Sequence, residues 1–201
     1  MLRKLGRDKR RSTLTLCAAA AVVAALGMGG CSAAYVEGDA ASVLLLVNAI
    51  AEGAPILSDV RGTGGAIVNC QGAVSLSARA KNPTVQVGVS EDVRVTRYTV
   101  AYRRSDGRGV QGVDVPYTIS GNMSLLVASA DDAVEVAIDL VRHQAKLEPP
   151  LINIVDLQVV TMFADVSFFG QTISGKTVTA SGSAQVTFAD FADGTTTCEG
   201  S

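Results

Sequence analysis

Four cysteines and one histidine are the residues of this chain best suited to covalent or metal chemistry. Cys17 and Cys31 lie near the start, whereas Cys70 and Cys198 bracket most of the remainder. Two thiols and the distant His143 fall short of the four ligands that close a structural zinc site. A hydrolytic triad around His143 needs a nucleophile and an orienting acid, and no G-x-S-x-G elbow supplies the nucleophile. Gly62-Thr63-Gly64-Gly65 lacks the lysine and following helix of a phosphate-cradling loop. Asp190 and Asp193 offer two carboxylates, where calcium gathers six to eight oxygens. These features read as surface or connecting residues. No cofactor, metal or enzymatic activity is expected from them.

Arginine supplies the less ordinary pattern. Arg94, Arg97, Arg103, Arg104 and Arg108 fall within fifteen positions, three of them around the turn Ser105-Asp106-Gly107-Arg108. Such a cluster on an otherwise acidic chain could form a local anion-binding patch, for the phosphates of lipopolysaccharide, another envelope polymer or an acidic partner. The plainer reading is edge protection, because charges on an exposed strand discourage sheet-to-sheet aggregation.

The first thirty residues have the parts of an export signal. Arg3, Lys4, Arg7, Lys9, Arg10 and Arg11 crowd the start, and an apolar run follows from Leu14 to Leu26. That run is shorter than the ~20 residues needed to span a bilayer as a helix. Met28-Gly29-Gly30-Cys31 resembles the lipobox of bacterial lipoproteins, with Met where Leu is usual. The resemblance implies cleavage before Cys31 and acylation of its thiol and amine. Several acyl chains give durable attachment where one does not. Ser32 in place of a retention Asp implies the periplasmic face of the outer membrane, in a host that has one. Ordinary cleavage after Ala34 is the alternative.

Residues 1–30 hold six basic side chains and the acidic Asp8, out of 17 and 19 in the chain. The remainder keeps 11 basic and 18 acidic residues, a net charge of −7. That balance argues against nucleic-acid binding, which depends on neutralising phosphates. In an oxidising compartment Cys70 and Cys198 are expected to form a disulfide, with unpaired thiols or a metal site as alternatives. Closing a loop of about 129 residues would contribute on the order of 5 kcal/mol as an upper figure.

The elements that must carry these residues are strands. From residue 66 onward apolar and polar positions alternate, the mark of half-buried β-structure. Val74, Leu76 and Ala78 form one apolar row. Val93 and Val95 begin another, whose parity switches to Tyr98, Val100 and Tyr102, predicting a bulge near Thr96–Arg97. Further rows are Val113/Val115/Tyr117/Ile119, Met123/Leu125/Val127 after a turn at Gly121-Asn122, Val134/Val136/Ile138/Leu140, Met162/Ala164/Val166/Phe168, and Val178/Ala180/Ala184/Val186/Phe188. Seven such strands with no amphipathic helix between them point to an all-β immunoglobulin-like sandwich, with a small barrel as alternative. The expected organisation is a signal over 1–30, a lipidated N-terminus and linker over 31–65, and the sandwich over 66–201. Val43–Ile50 reads as an extra edge strand or a short helix.

Several segments carry a broader likeness. Ile56-Leu57-Ser58-Asp59-Val60, Lys81-Asn82-Pro83-Thr84, Arg97–Arg108, Gly112-Val113-Asp114-Val115-Pro116-Tyr117 and Phe188–Asp193 resemble a group of uncharacterised bacterial envelope proteins. The resemblance implies an exported all-β domain and no assigned activity. The resulting expectation is a membrane-anchored lipoprotein acting as a non-enzymatic interaction or structural module in the envelope. Its partners would be the membrane and an envelope protein or polymer. An exported carrier of a small ligand is the second reading.

Overall fold

The computed structural model describes residues 40–61, 67–129, 132–155 and 157–191. They form eight strands: β1 Val43–Ile50, β2 Ile56–Asp59, β3 Cys70–Ala80, β4 Val93–Arg104, β5 Ile119–Val127, β6 Val134–Val141, β7 Val159–Thr172 and β8 Thr177–Ala189. Two sheets result, one in the order β1-β3-β6 and one in the order β2-β8-β7-β4-β5. All pairings are antiparallel except β2 with β8. The first strand is thus divided between the sheets, β1 lying beside β3 and β2 beside the last strand. This is the all-β, immunoglobulin-like arrangement of two packed sheets.

The apolar rows read from the sequence form the core between the sheets. Met162, Ala164, Val166 and Phe168 of β7 are wholly buried, as are Val93, Val95 and Val100 of β4 and Val74, Leu76 and Ala78 of β3. Each fully buried Val, Leu or Phe contributes roughly 1.5–3 kcal/mol relative to exposure. Gly182 of β8 lets β1 approach closely, since a Cβ there would sit 2.8 Å from Val47 Cγ1. Two tyrosines of β4 staple the sandwich to β6. The Tyr102 hydroxyl donates to the Leu140 carbonyl at 2.6 Å, and the Tyr98 hydroxyl accepts the Asp139 N–H at 3.2 Å.

Two expectations change in detail. Val113–Ile119 is not a strand: the Val110 carbonyl accepts the N–H groups of Val113, Asp114 and Val115, closing a tight loop. Val115, Pro116 and Ile119 are buried, while Val113 and Tyr117 face solvent. Gly121-Asn122 is no turn either, because both residues pair with β4 inside β5. Gly121 is needed there because the Tyr98 ring occupies the space a Cβ would take. Val43–Ile50, read as an extra edge strand or a short helix, is the edge strand β1, and Ile56–Asp59 adds the parallel strand β2, which the alternation did not mark. Between them Ala51, Glu52 and Gly53 all adopt positive φ, turning the chain from one sheet to the other.

Candidate functional site

The arginine cluster lies on β4 and on the turn that follows it. The register of β4 shifts between Val95 and Arg97 against both neighbours, so the expected bulge is present. Its consequence is chemical. Residues three apart on a regular strand face opposite ways, and the one extra residue puts Arg97 on the same exposed outer face as Arg94 while Tyr98 turns into the core.

On that face the arginines meet β7. Arg97 lies opposite Phe169, with its guanidinium carbon 4.0 Å from the ring centroid. Arg103 lies opposite Phe163, at 4.5 Å, and its Nε donates to Asp165 at 2.8 Å. Cation–π contacts of this kind at exposed sites are each worth about 0.5–1 kcal/mol. Around them the outer face is rich in hydroxyl and amide groups: Ser120 and Asn122 on β5, Thr99 on β4, Ser167 on β7, and Thr179 and Ser181 on β8.

The other two arginines behave differently. Arg104 Nη2 and Arg108 Nη2 both approach Asp106 Oδ2, at 3.0 and 2.7 Å. The hydrogen bonds from Arg108, and then from Arg104, hold the Asp106 carboxyl far below the usual carboxylate range. Three of the five arginines are therefore ion-paired locally. Among the described residues, Arg94 and Arg97 form no salt bridge, and they remain the positive charges available to an anion.

A second polar group was not singled out from the sequence. Cys70, at the start of β3, is wholly buried with Ser58 of β2, and Lys146 beside them is 1 % exposed. Lys146 closes the short helix α1, His143–Lys146, which follows β6. Burial pushes its amine down to about 8, against the opposing pull of Asp59. Its position next to an alternating strand gave no period that marks a buried lysine. Asp59 accepts the N–H groups of Arg61 and Phe191 at 2.9 and 3.3 Å, which ties the end of β8 to β2.

His143 is exposed, and its backbone N–H is held by Asn69 Oδ1 at 2.7 Å. No group of three His, Cys, Asp or Glu residues positioned for a metal occurs among the described residues. Cys31, Cys198, Asp193 and the loop Gly62–Gly65 lie outside the described residues. No described helix is long and apolar enough to cross a membrane.

Fold and surface together define an all-β sandwich of immunoglobulin-like strand order, with an arginine–phenylalanine face on its larger sheet. No protein-family model, curated protein or solved structure matches the chain.

Proposed function

We propose that this protein is an envelope lipoprotein, anchored through acylated Cys31 and bridged between Cys70 and Cys198, whose sandwich binds an anionic envelope polymer without enzymatic turnover. The observation that carries the binding reading is the outer face of β4 and β7. There the bulge at Thr96 gathers Arg94 and Arg97, and the Arg97 guanidinium rests over the Phe169 ring. A guanidinium fixed in this way gives up little rotational freedom when it meets a phosphate or carboxylate. The hydroxyl-rich strands around it suit a sugar polymer that carries such groups. The inward positions are filled by one another's side chains, Val95, Val100, Phe168 and Phe188 among them, which favours a surface function over an internal ligand.

The test is sedimentation of the purified domain with lipopolysaccharide, at several salt concentrations. The wild type is expected to co-sediment, and Arg94→Ala/Arg97→Ala to lose about tenfold in affinity together with part of the salt dependence. Equal binding by both proteins overturns the reading. The anchor is tested separately by intact mass from the native host, expected to begin at acylated Cys31; an unacylated mass beginning near Tyr35 refutes it.

A further inference from the structure

β1 is laddered on one side only. Its hydrogen-bonded neighbour is β3, from Val43 opposite Ala80 to Ile50 opposite Val74. On its other side it packs against β8 without a ladder, where Gly182 leaves the room that Val47 and Ile50 fill. Val43, Leu45 and Ile50 are buried in the core, so the sandwich needs this strand. One turn, Ala51–Gly53, joins it to the rest of the domain. There Ala51 and Glu52 take φ of 48° and 52°, in the left-handed region, before Gly53 at 81°. Glycine enters that region readily, but a residue with a Cβ is held there against its preference. Two such residues in succession store strain at the joint between β1 and β2. Extending the joint relieves the strain and lifts β1 out of its place.

We propose that β1 is an exchangeable strand, and that the partner it fits is a second copy of this chain. In the exchanged pair the joint at Ala51–Gly53 opens to extended backbone, and β1 of each copy enters the place beside β3 and β8 of the other. Complementarity is already built, because every contact across the seam is one the single chain makes with itself. Val47 again meets Gly182, the Ser42 carbonyl again accepts the Lys81 N–H, and the Ser42 hydroxyl again donates to Glu91. Only the joint differs, and there the exchange releases the left-handed residues. Residues 51–55 span at most roughly 18 Å when extended, which keeps the two copies side by side. A strand of another sequence would have to match the buried Val43, Leu45 and Ile50 afresh.

The test mixes two variants of the exported full-length protein, Leu44→Cys and Arg79→Cys. Both positions are exposed and lie opposite each other in the β1–β3 register, and paired strands bring Cα atoms within disulfide range. Exchange is expected to give a heterodimer linked between positions 44 and 79, read from the joined peptides by mass. Leu44→Cys mixed with Gln71→Cys, at the far end of β3, is expected to give no such link. Light scattering on protein without added cysteines tests the joint. Ala51→Gly/Glu52→Gly adopts positive φ readily and is expected to weaken dimerisation about tenfold. Glu52→Val, whose branched side chain opposes positive φ, is expected to strengthen it by about the same factor. Glu52 faces solvent, so its replacement leaves the core intact. Dimers that lack the 44–79 link, equal dimerisation of the three proteins, or monomers alone even in Glu52→Val overturn the proposal.

Discussion

Removing one oxygen from Tyr102 tests how the two sheets are held together. Opposite Cys70 the register of β6 skips a residue: Cys70 pairs with Val141 and Gln71 with Asp139, which leaves Leu140 out of the ladder. The carbonyl of that skipped residue is the one that accepts the Tyr102 hydroxyl, at 2.6 Å in the interior. Tyr102→Phe keeps the ring in the core but leaves a buried carbonyl without its donor, which costs roughly 1–3 kcal/mol. At pH 7 a loss of about 2 kcal/mol is expected, a fall in Tm of about 4–8 °C for a domain of this size. The same hydroxyl sets an alkaline signature. Burial raises the Tyr102 pKa well above its ordinary value, against a smaller opposing effect of Arg142. Above pH ~10 the unfolded chain releases the phenol proton while the folded chain keeps it. The unfolded state then binds fewer protons, and stability falls by up to about 1.4 kcal/mol per pH unit. Below pH 10 this contribution is fully present. Denaturant unfolding followed by far-ultraviolet circular dichroism at pH 7, 9 and 11 separates the two effects. The difference between wild type and Tyr102→Phe should be about 2 kcal/mol at pH 7 and 9, and about 0.6 kcal/mol at pH 11. A difference under about 0.5 kcal/mol at pH 7, or one that stays constant to pH 11, refutes the reasoning.

Gly121→Ala places a methyl in the space of the Tyr98 ring, and overpacking of this kind costs about 1–3 kcal/mol. Thermal melts should show the loss, with faster amide exchange at Asp139 as the phenol withdraws; a neutral variant contradicts the packing described. Lys146 titrates in the folded protein near 8 and in the unfolded chain near 10.4. Between those values the unfolded state binds the extra proton, so the Lys146 contribution to stability increases with pH. Denaturation midpoints at pH 7.5 and 9.5 should show this rise in the wild type and lose it in Lys146→Met; identical changes in both proteins count against it. Asp106→Asn frees Arg104 and Arg108 from their shared carboxylate, and the variant should elute from a sulfated-polysaccharide column at higher salt. Unchanged elution would show that these two guanidiniums do not reach the bound polymer.

What the sequence disclosed and what it concealed follow from how local each signal is. Period-two alternation depends only on one strand having one wet face, so Met162 to Phe168 and Val74 to Ala78 were legible at once. The parity switch at Thr96 was equally local, and the bulge stands where it was read. Val113, Val115 and Tyr117 carried the same alternation without becoming a strand, because the Val110 carbonyl gathers three N–H groups of the loop. Gly121-Asn122 has turn chemistry, yet the Tyr98 ring requires glycine there for packing. The arginine cluster was visible as composition. Its division is only partly local: Asp106 holds Arg104 and Arg108 from two residues away, whereas Arg103 is held by Asp165 of β7, 62 residues away. The burial of Lys146 against Cys70 joins positions 76 apart, and no window of local sequence contains both.

The division of the first strand has a mechanical consequence. β2 runs parallel to β8, with Ile56 beside Val186 and Asp59 beside Ala189. A force that draws the amino-terminal side of β2 away from the carboxy-terminal side of β8 slides the two strands along each other. The hydrogen bonds between them are then loaded together, instead of peeling open one after another as they would in a hairpin pulled from its open ends. A pull applied across these two strands would thus engage a shear lock of four residue pairs, whereas one from the amino-terminal side first loads β1 against β3. The β7–β8 hairpin behind it would stay shielded until that lock gave way.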